Sequence, residues 1–207
     1  MEAAVHIIET RKAPNPRRVR IFLAEKGLTV RFEELDLMAC ALKTPQFTEL
    51  NPWQRVPLLI LEDGRVLAES IAICRYFEEL HPAPLLFGAG AFGRAETEMW
   101  NRRVELGLFN RVTQVFRHMH EKMAHLEVPQ IAAWGEANKP MVIDELAHLD
   151  RRLADHAFIA GDRYSIADIT ALVAIDFMKP AKLIVPPEFA HVGRWLRDVR
   201  VRPSAVA

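Results

Sequence analysis

As far as Leu80, short blocks of β-forming residues take turns with stretches of helical spacing. Ala4 to Ile8 reads as a first strand, with Val5, Ile7 and Ile8 as its apolar content. The loop Thr10 to Pro16 stops it, and Pro16 suits the first turn of a helix. Val19 and Ile21-Phe22-Leu23 carry that helix to Lys26-Gly27, where glycine supplies a C-terminal stop. Val30 to Leu35 predicts a second strand, and Thr44 to Leu50 a short helix ahead of Asn51-Pro52. Leu58 to Leu61 is apolar enough for a buried strand, and Asp63-Gly64 after it predicts a hairpin through a type I′ turn. Arg65 to Leu67 is the returning strand. At Glu69-Ser70 the period becomes helical, through Ile71, Ile73, Cys74, Phe77 and Leu80. The order is β-α-β-α-β-β-α.

Beyond His81-Pro82-Ala83-Pro84 the pattern has a single period. Residues 83–93 carry the prolines, glycines and small residues of a linker. From Arg94 to Met123, Trp100, Val104, Leu108, Val112 and Val115-Phe116 recur in steps of three and four, a long amphipathic helix. Met141 to Leu153 repeats the pattern with Ile143, Leu146, Leu149 and Leu153. The fold class is therefore α+β, with a mixed domain over residues 1–82 and an all-helical domain over 94–207. Ser165 to Asp168 is a Ser-x-x-Asp capping arrangement at the start of a further helix, a stabilising rather than a chemical feature.

Composition narrows the function classes. Half of the 207 residues are apolar, enough for a sizeable core. Lys plus Arg and Asp plus Glu are both 27, so no net field draws nucleic acid or an anionic membrane. Cys40 and Cys74 form no Cys-x-x-Cys, which argues against a disulfide scaffold, a metal site and dithiol chemistry. No apolar run reaches the length of a membrane span or a signal peptide, which places the chain in the cytoplasm.

The candidate chemistry gathers at Arg55 to Ser70. Pro57 cannot donate to a ladder, so its strand is an edge or its first residue lies outside the pairing, and Val56-Pro57 is a candidate cis bond. A helix that begins at Ser70 offers a hydroxyl and free N–H groups to a carboxylate. Val-Pro, the hairpin and Glu69-Ser70 resemble the glutathione-binding half of the cytosolic glutathione transferases, a thioredoxin-like domain. Asn51-Pro52, the first helix and the Arg202-Pro203-Ser204 tail extend the likeness.

That resemblance implies glutathione as co-substrate, held by Val56, Pro57, Glu69 and Ser70, with Lys43 and Arg55 toward its glycyl carboxylate. It implies a detoxifying homodimer that conjugates the thiolate to a small electrophile and uses no metal. Phe109, Val112, Phe116, Met119 and Trp134 are candidates for an apolar acceptor site, or are plain core. The usual family activator is a Tyr near the first strand or a Ser at the first helix. Here the tyrosines are Tyr76 and Tyr164, and residues 9–18 contain no Ser. The region offers Thr10, Asn15, the backbone N–H groups after Pro16, and the cations Arg11, Lys12, Arg17 and Arg18 instead. The absence resembles an atypical class in which a hydroxyl residue and a histidine on the long helix hold a water. Thr113 and His118 match those positions, with Asn15 as the donor of the first domain; His120 and His125 are alternatives. The competing expectation is a silent binding or regulatory module on the same fold.

Overall fold

The computed structural model describes residues 5–207, which divide into two compact units, one up to residue 84 with 206–207, and one of 85–205. The first contains β1 (His6–Glu9), α1 (Pro14–Glu25), β2 (Arg31–Glu34), α2 (Pro45–Leu50), β3 (Leu58–Ile60), β4 (Val66–Ala68) and α3 (Ser70–Leu80). The predicted order holds; Ala4, which the pattern assigned to the first strand, lies outside the described residues. The strands form one sheet in the order β2-β1-β3-β4, with β1 and β2 parallel and the other pairs antiparallel.

β3 is an inner strand, and its pairing begins at Leu58, opposite Ile8 and Ala68. Pro57 thus precedes the ladder, the second of the two positions a proline allows. The hairpin differs from the expected type I′ turn. Gly64 N–H donates to Leu61 O and Leu61 N–H to Arg65 O, both at 2.9 Å. Gly64 alone in the loop has positive φ, +82°. This is a three-residue loop closed by a left-handed glycine, a geometry that Asp-Gly serves as well as a two-residue turn. Asp63 braces it by accepting from Arg65 N–H at 3.0 Å and Arg65 Nε at 2.7 Å, and the backbone bond holds its carboxyl below the usual range.

Two buried ion pairs tie the helices of this unit. Arg20 on α1 pairs with Glu9 at the end of β1. Lys26, just past α1, pairs with Glu78 on α3 and donates to the carbonyls of His81, Pro82 and Pro84 at 2.8, 3.2 and 2.6 Å. A buried ammonium needs several partners, and these anchor the chain end of α3.

The second unit is helical. α4 (Gly90–Arg103) passes through one π-helical stretch, Val104–Phe109, into α5 (Asn110–Met119). The rod therefore begins inside the stretch read as linker and stops before Met123. Val104, Leu108, Val112 and Val115 form its buried stripe. α6 (Ala132–Asp155) starts well before Met141 and runs through Pro140. Its buried stripe is Val142, Leu146, Leu149 and Leu153; Ile143, expected in the core, is 37% exposed. Val142 to Leu146 is a four-residue step, and Ile143 lies one position off that face.

α7 (Ile166–Met178) is buried from Ile166 to Ile175, as suits the middle helix of a bundle, and α8 (Ala190–Arg200) follows. The capping arrangement is present and larger than the sequence suggests. Asp168 Oδ2 accepts from Ser165 N–H and Oγ at 2.9 and 3.0 Å; Oδ1 accepts from Ile159 N–H and Trp195 Nε1 at 3.0 and 2.9 Å. Burial pushes the Asp168 carboxyl up to about 6 against the pull of those four donors.

Candidate functional site

One small core assembles the site residues of the first unit. Ile8, Leu42, Phe47, Leu58 and Ile60 form it, with Val56 and Ala68 packed against it. Lys43 follows Leu42 and Glu69 follows Ala68, so these two and Val56 are carried on the same cluster. Asn51, 5% exposed, shapes the approach to Val56: its Nδ2 donates to Arg55 O at 2.9 Å and its Oδ1 accepts from Trp53 N–H at 3.1 Å. The Val56-Pro57 bond is cis. Lys43 and Arg55 are exposed, Arg55 with a 3.4 Å bond to Gln54 O.

The start of α3 is unlike an ordinary helix cap. Glu69 occupies the cap position with φ +68° and ψ 118°, a conformation that costs a non-glycine residue on the order of 1–3 kcal/mol. Ser70 is therefore the first helical residue and not the cap. Its side chain caps nothing, and it is 5% exposed. The first helical bond here is Ile73 N–H to Glu69 O, 2.9 Å. Ahead of it, the N–H groups of Ser70, Ile71 and Ala72 and the Ser70 hydroxyl have no protein partner among the described residues. Four donors are thus left open in the first turn of α3, at the positive end of the helix, where an anion is stabilised.

The start of α1 is poorer in donors than the sequence promises. Pro14 and Pro16 carry no N–H, and Arg17 N–H is taken by Ala13 O at 3.4 Å. The N–H groups after Pro16 are thus engaged inside the helix. Thr10 is also engaged: its hydroxyl donates to Leu35 O at 3.0 Å. Asn15 is exposed, and its Oδ1 accepts from Arg18 Nη2 at 3.3 Å. Cys74 is sealed between helices, and burial pushes its thiol far up, so it is an un-ionised packing group.

In the helical unit, Thr113 and His118 both lie on α5. Five positions turn a helix through about 140°, so the two do not share a face. The Thr113 hydroxyl donates to Asn110 O at 2.7 Å. His118 Nδ1 accepts from Ile131 N–H at 3.1 Å, at the cap of α6. The neutral ring must then carry its proton on Nε2, which has no partner among the described residues. His120 Nδ1 accepts from Lys122 N–H at 3.2 Å, and its ring lies 4.7 Å from that of Phe116.

Of the five acceptor-site candidates, Phe109 and Val112 are buried, with 4% and 0% exposure. Phe116 is half-buried, its ring 4.9 Å from that of Phe177. Met119 and Trp134 reach solvent, and Trp134 Nε1 donates to Gln114 at 3.0 Å. At Gly135 beside it, a Cβ would press on the Met119 side chain, which would have to shift. Among the described residues no group of His, Cys, Asp and Glu could hold a metal, and no helix is long and apolar enough to cross a membrane.

Known proteins agree with this architecture. The family model of the glutathione S-transferase N-terminal domain matches residues 13–80, and that of the C-terminal domain matches 127–203. The chain belongs to the glutathione S-transferases, in the cytosolic superfamily. It is 33% identical to glutathione S-transferase 2 of Saccharomyces cerevisiae over 207 residues, covering 99% of this chain and 89% of that one. Among solved structures, a glutathione S-transferase domain-containing protein of Marinobacter aquaeolei superposes with a TM-score of 0.93 at 39% identity, covering 97% and 99% of the two chains. Gtt2 of Saccharomyces cerevisiae superposes with a TM-score of 0.92 at 33% identity, covering 97% and 98%.

Proposed function

We propose that this transferase conjugates the thiolate of glutathione to a small, apolar electrophile. The start of α3 carries the reading. A strained Glu69 ahead of a nearly buried hydroxyl and three unbonded N–H groups is costly for folding alone, and it suits the α-carboxylate of the γ-glutamyl group. The Glu69 carboxylate then takes the α-ammonium, the backbone of Val56 takes the cysteinyl unit, and Lys43 and Arg55 take the glycyl carboxylate.

Activation requires the thiol to lose its proton near neutral pH. Lowering its pKa from about 8.5 by about 2 units needs about 2.7 kcal/mol of selective stabilisation, within reach of one or two donors. With Tyr and Ser absent from the usual positions and two N–H groups removed by prolines, the Asn15 amide is the donor that the first unit offers. The proton passes to solvent, the sulfur forms its bond to the electrophilic carbon, and the leaving group departs with the displaced electron pair. Of the pair on α5, His118 is favoured over Thr113, because its Nε2 proton is open while the Thr113 hydroxyl proton is engaged.

Calorimetric binding of glutathione together with conjugation of a chloronitrobenzene tests this reading. Binding with turnover is expected. Binding without turnover identifies the silent module, and absence of both overturns the proposal. We propose a cytoplasmic homodimer on the same basis of kinship, with Trp53 and Phe92, 78% and 79% exposed, as apolar side chains open to a second copy. A monomer mass in sedimentation removes that part.

A further inference from the structure

The orientation of the Asn15 amide is set from below. Arg18 is 0% exposed, on α1, which packs against α3, and its charge acts on the thiol of Cys74 there. A side chain so enclosed cannot follow an exposed amide as it turns; the amide must turn to it. A guanidinium has N–H donors and no acceptor. At the 3.3 Å contact with Arg18 Nη2, Asn15 can therefore present only its oxygen, which leaves both N–H bonds of Nδ2 directed away from Arg18.

We infer that Arg18 is a positioning residue for thiol activation: it holds Asn15 with the amide NH2 outward, as a fixed donor to the thiolate of bound glutathione. The inference rests on the reading of Asn15 as the partner of the thiol. Arg18 stands one turn from a helix start whose prolines remove two backbone donors. A donor whose oxygen side is bound by a cation is also polarised and strengthened. An amide accepts no proton, so the thiol proton goes to solvent and Asn15 acts on the anion that remains.

Three variants of the full chain test it: Asn15→Asp, Asn15→Ala and Arg18→Lys. Each is read by the pH profile of kcat/KM for chloronitrobenzene conjugation, with glutathione affinity and thermal unfolding beside it. Asn15→Asp keeps an oxygen for Arg18 and replaces the NH2 by an anionic oxygen. We expect it to fold as the parent does, to raise the apparent thiol pKa by about one unit or more, and to lower kcat/KM at neutral pH more than about tenfold, beyond the loss in Asn15→Ala. Arg18→Lys keeps the charge and loses the planar fork. It is expected to raise the same pKa in the parent and to add nothing in the Asn15→Ala background. A parent-like profile for Asn15→Asp overturns the inference, as does an equal Arg18→Lys shift with and without Asn15. Should Arg18→Lys fail to fold, the Asn15→Asp profile decides. A parent that binds no glutathione removes the proposed function and this inference together, whereas an active parent with unaffected Asn15 variants removes the inference alone.

Discussion

Two helices of this protein open on a serine followed by isoleucine, and the two starts serve opposite ends. At α7, Ser165 is the cap: Asp168 accepts four hydrogen bonds, the Ser165 hydroxyl accepts from Ala167 N–H at 3.3 Å, and Asp168 is wholly buried. At α3, the cap is Glu69 in a left-handed conformation, Ser70 has moved one position into the helix, and its hydroxyl and the first N–H groups have no protein partner among the described residues. A closed set of donors and acceptors is complete without a ligand, and an open set is not. Satisfaction, rather than residue type, separates a structural helix start from a binding one.

The sharpest break is expected at the closed end. Asp168→Ala strands the N–H groups of Ile159, Ser165 and Trp195 in a dry interior, each at about 1–3 kcal/mol. We expect a loss of about 3 kcal/mol or more in urea unfolding, with no weakening of glutathione binding by whatever protein remains folded. Equal melting temperatures for variant and parent contradict it.

At the open end the effects reverse. If Ser70 holds the γ-glutamyl carboxylate as proposed, Ser70→Ala removes one charge-assisted hydrogen bond, about 1.5–3 kcal/mol, so glutathione should bind some tenfold to a hundredfold more weakly. The melting temperature should stay within a degree or two, because no protein bond is lost. A large drop in stability with unchanged affinity would make Ser70 a second structural serine.

Asp168 also gives the comparison a pH axis. Its folded pKa, about 6, lies above the ordinary 3.8. The folded state therefore holds the proton more tightly, and this contribution to stability is full below about pH 4 and lost as pH rises through about 6. Against Asp168→Asn, which does not titrate, the parent should lose relative stability between those values and run parallel above about pH 7. A parallel course throughout would show that the four donors cancel the cost of burial. No such slope is expected when Ser70→Ala is compared with the parent.

The smallest expected effect separates the two nitrogens of His118. Asn places an oxygen near the Nδ1 position and can keep the bond to Ile131, while Gln places an amide near Nε2. His118→Asn should hold its melting temperature and lose turnover, and His118→Gln should lose about 1 kcal/mol of stability and retain more turnover. Identical behaviour of the two would assign His118 to capping α6 alone.

The local features of the first unit were legible along the chain. Alternation and helical spacing are properties of neighbouring residues, and they placed every strand and helix from β1 to α3 in order. Val56-Pro57 and Glu69-Ser70 stood out because proline and a serine at a change of period have few interpretations. Where the reading failed, one local pattern served two geometries. Asp63-Gly64 suits a two-residue or a three-residue loop, and only the pairing of Leu61 with Arg65 selects between them. Ile143 is as apolar as Val142, and only the neighbours of α6 decide which of the two faces inward.

The sequence by itself determined the order of elements, the glutathione transferase resemblance, and which residue types could bind. Tertiary structure decided which donors and acceptors are already satisfied. Along the chain Arg18 is one of four cations near the first helix start and Asp168 an ordinary cap; the fold buries both and gives one an amide to orient and the other four donors to accept. The reason is physical. Propensity and periodicity act over a few residues and are written in the chain, whereas burial and hydrogen-bond satisfaction depend on groups brought together from distant positions, such as Trp195 and Asp168.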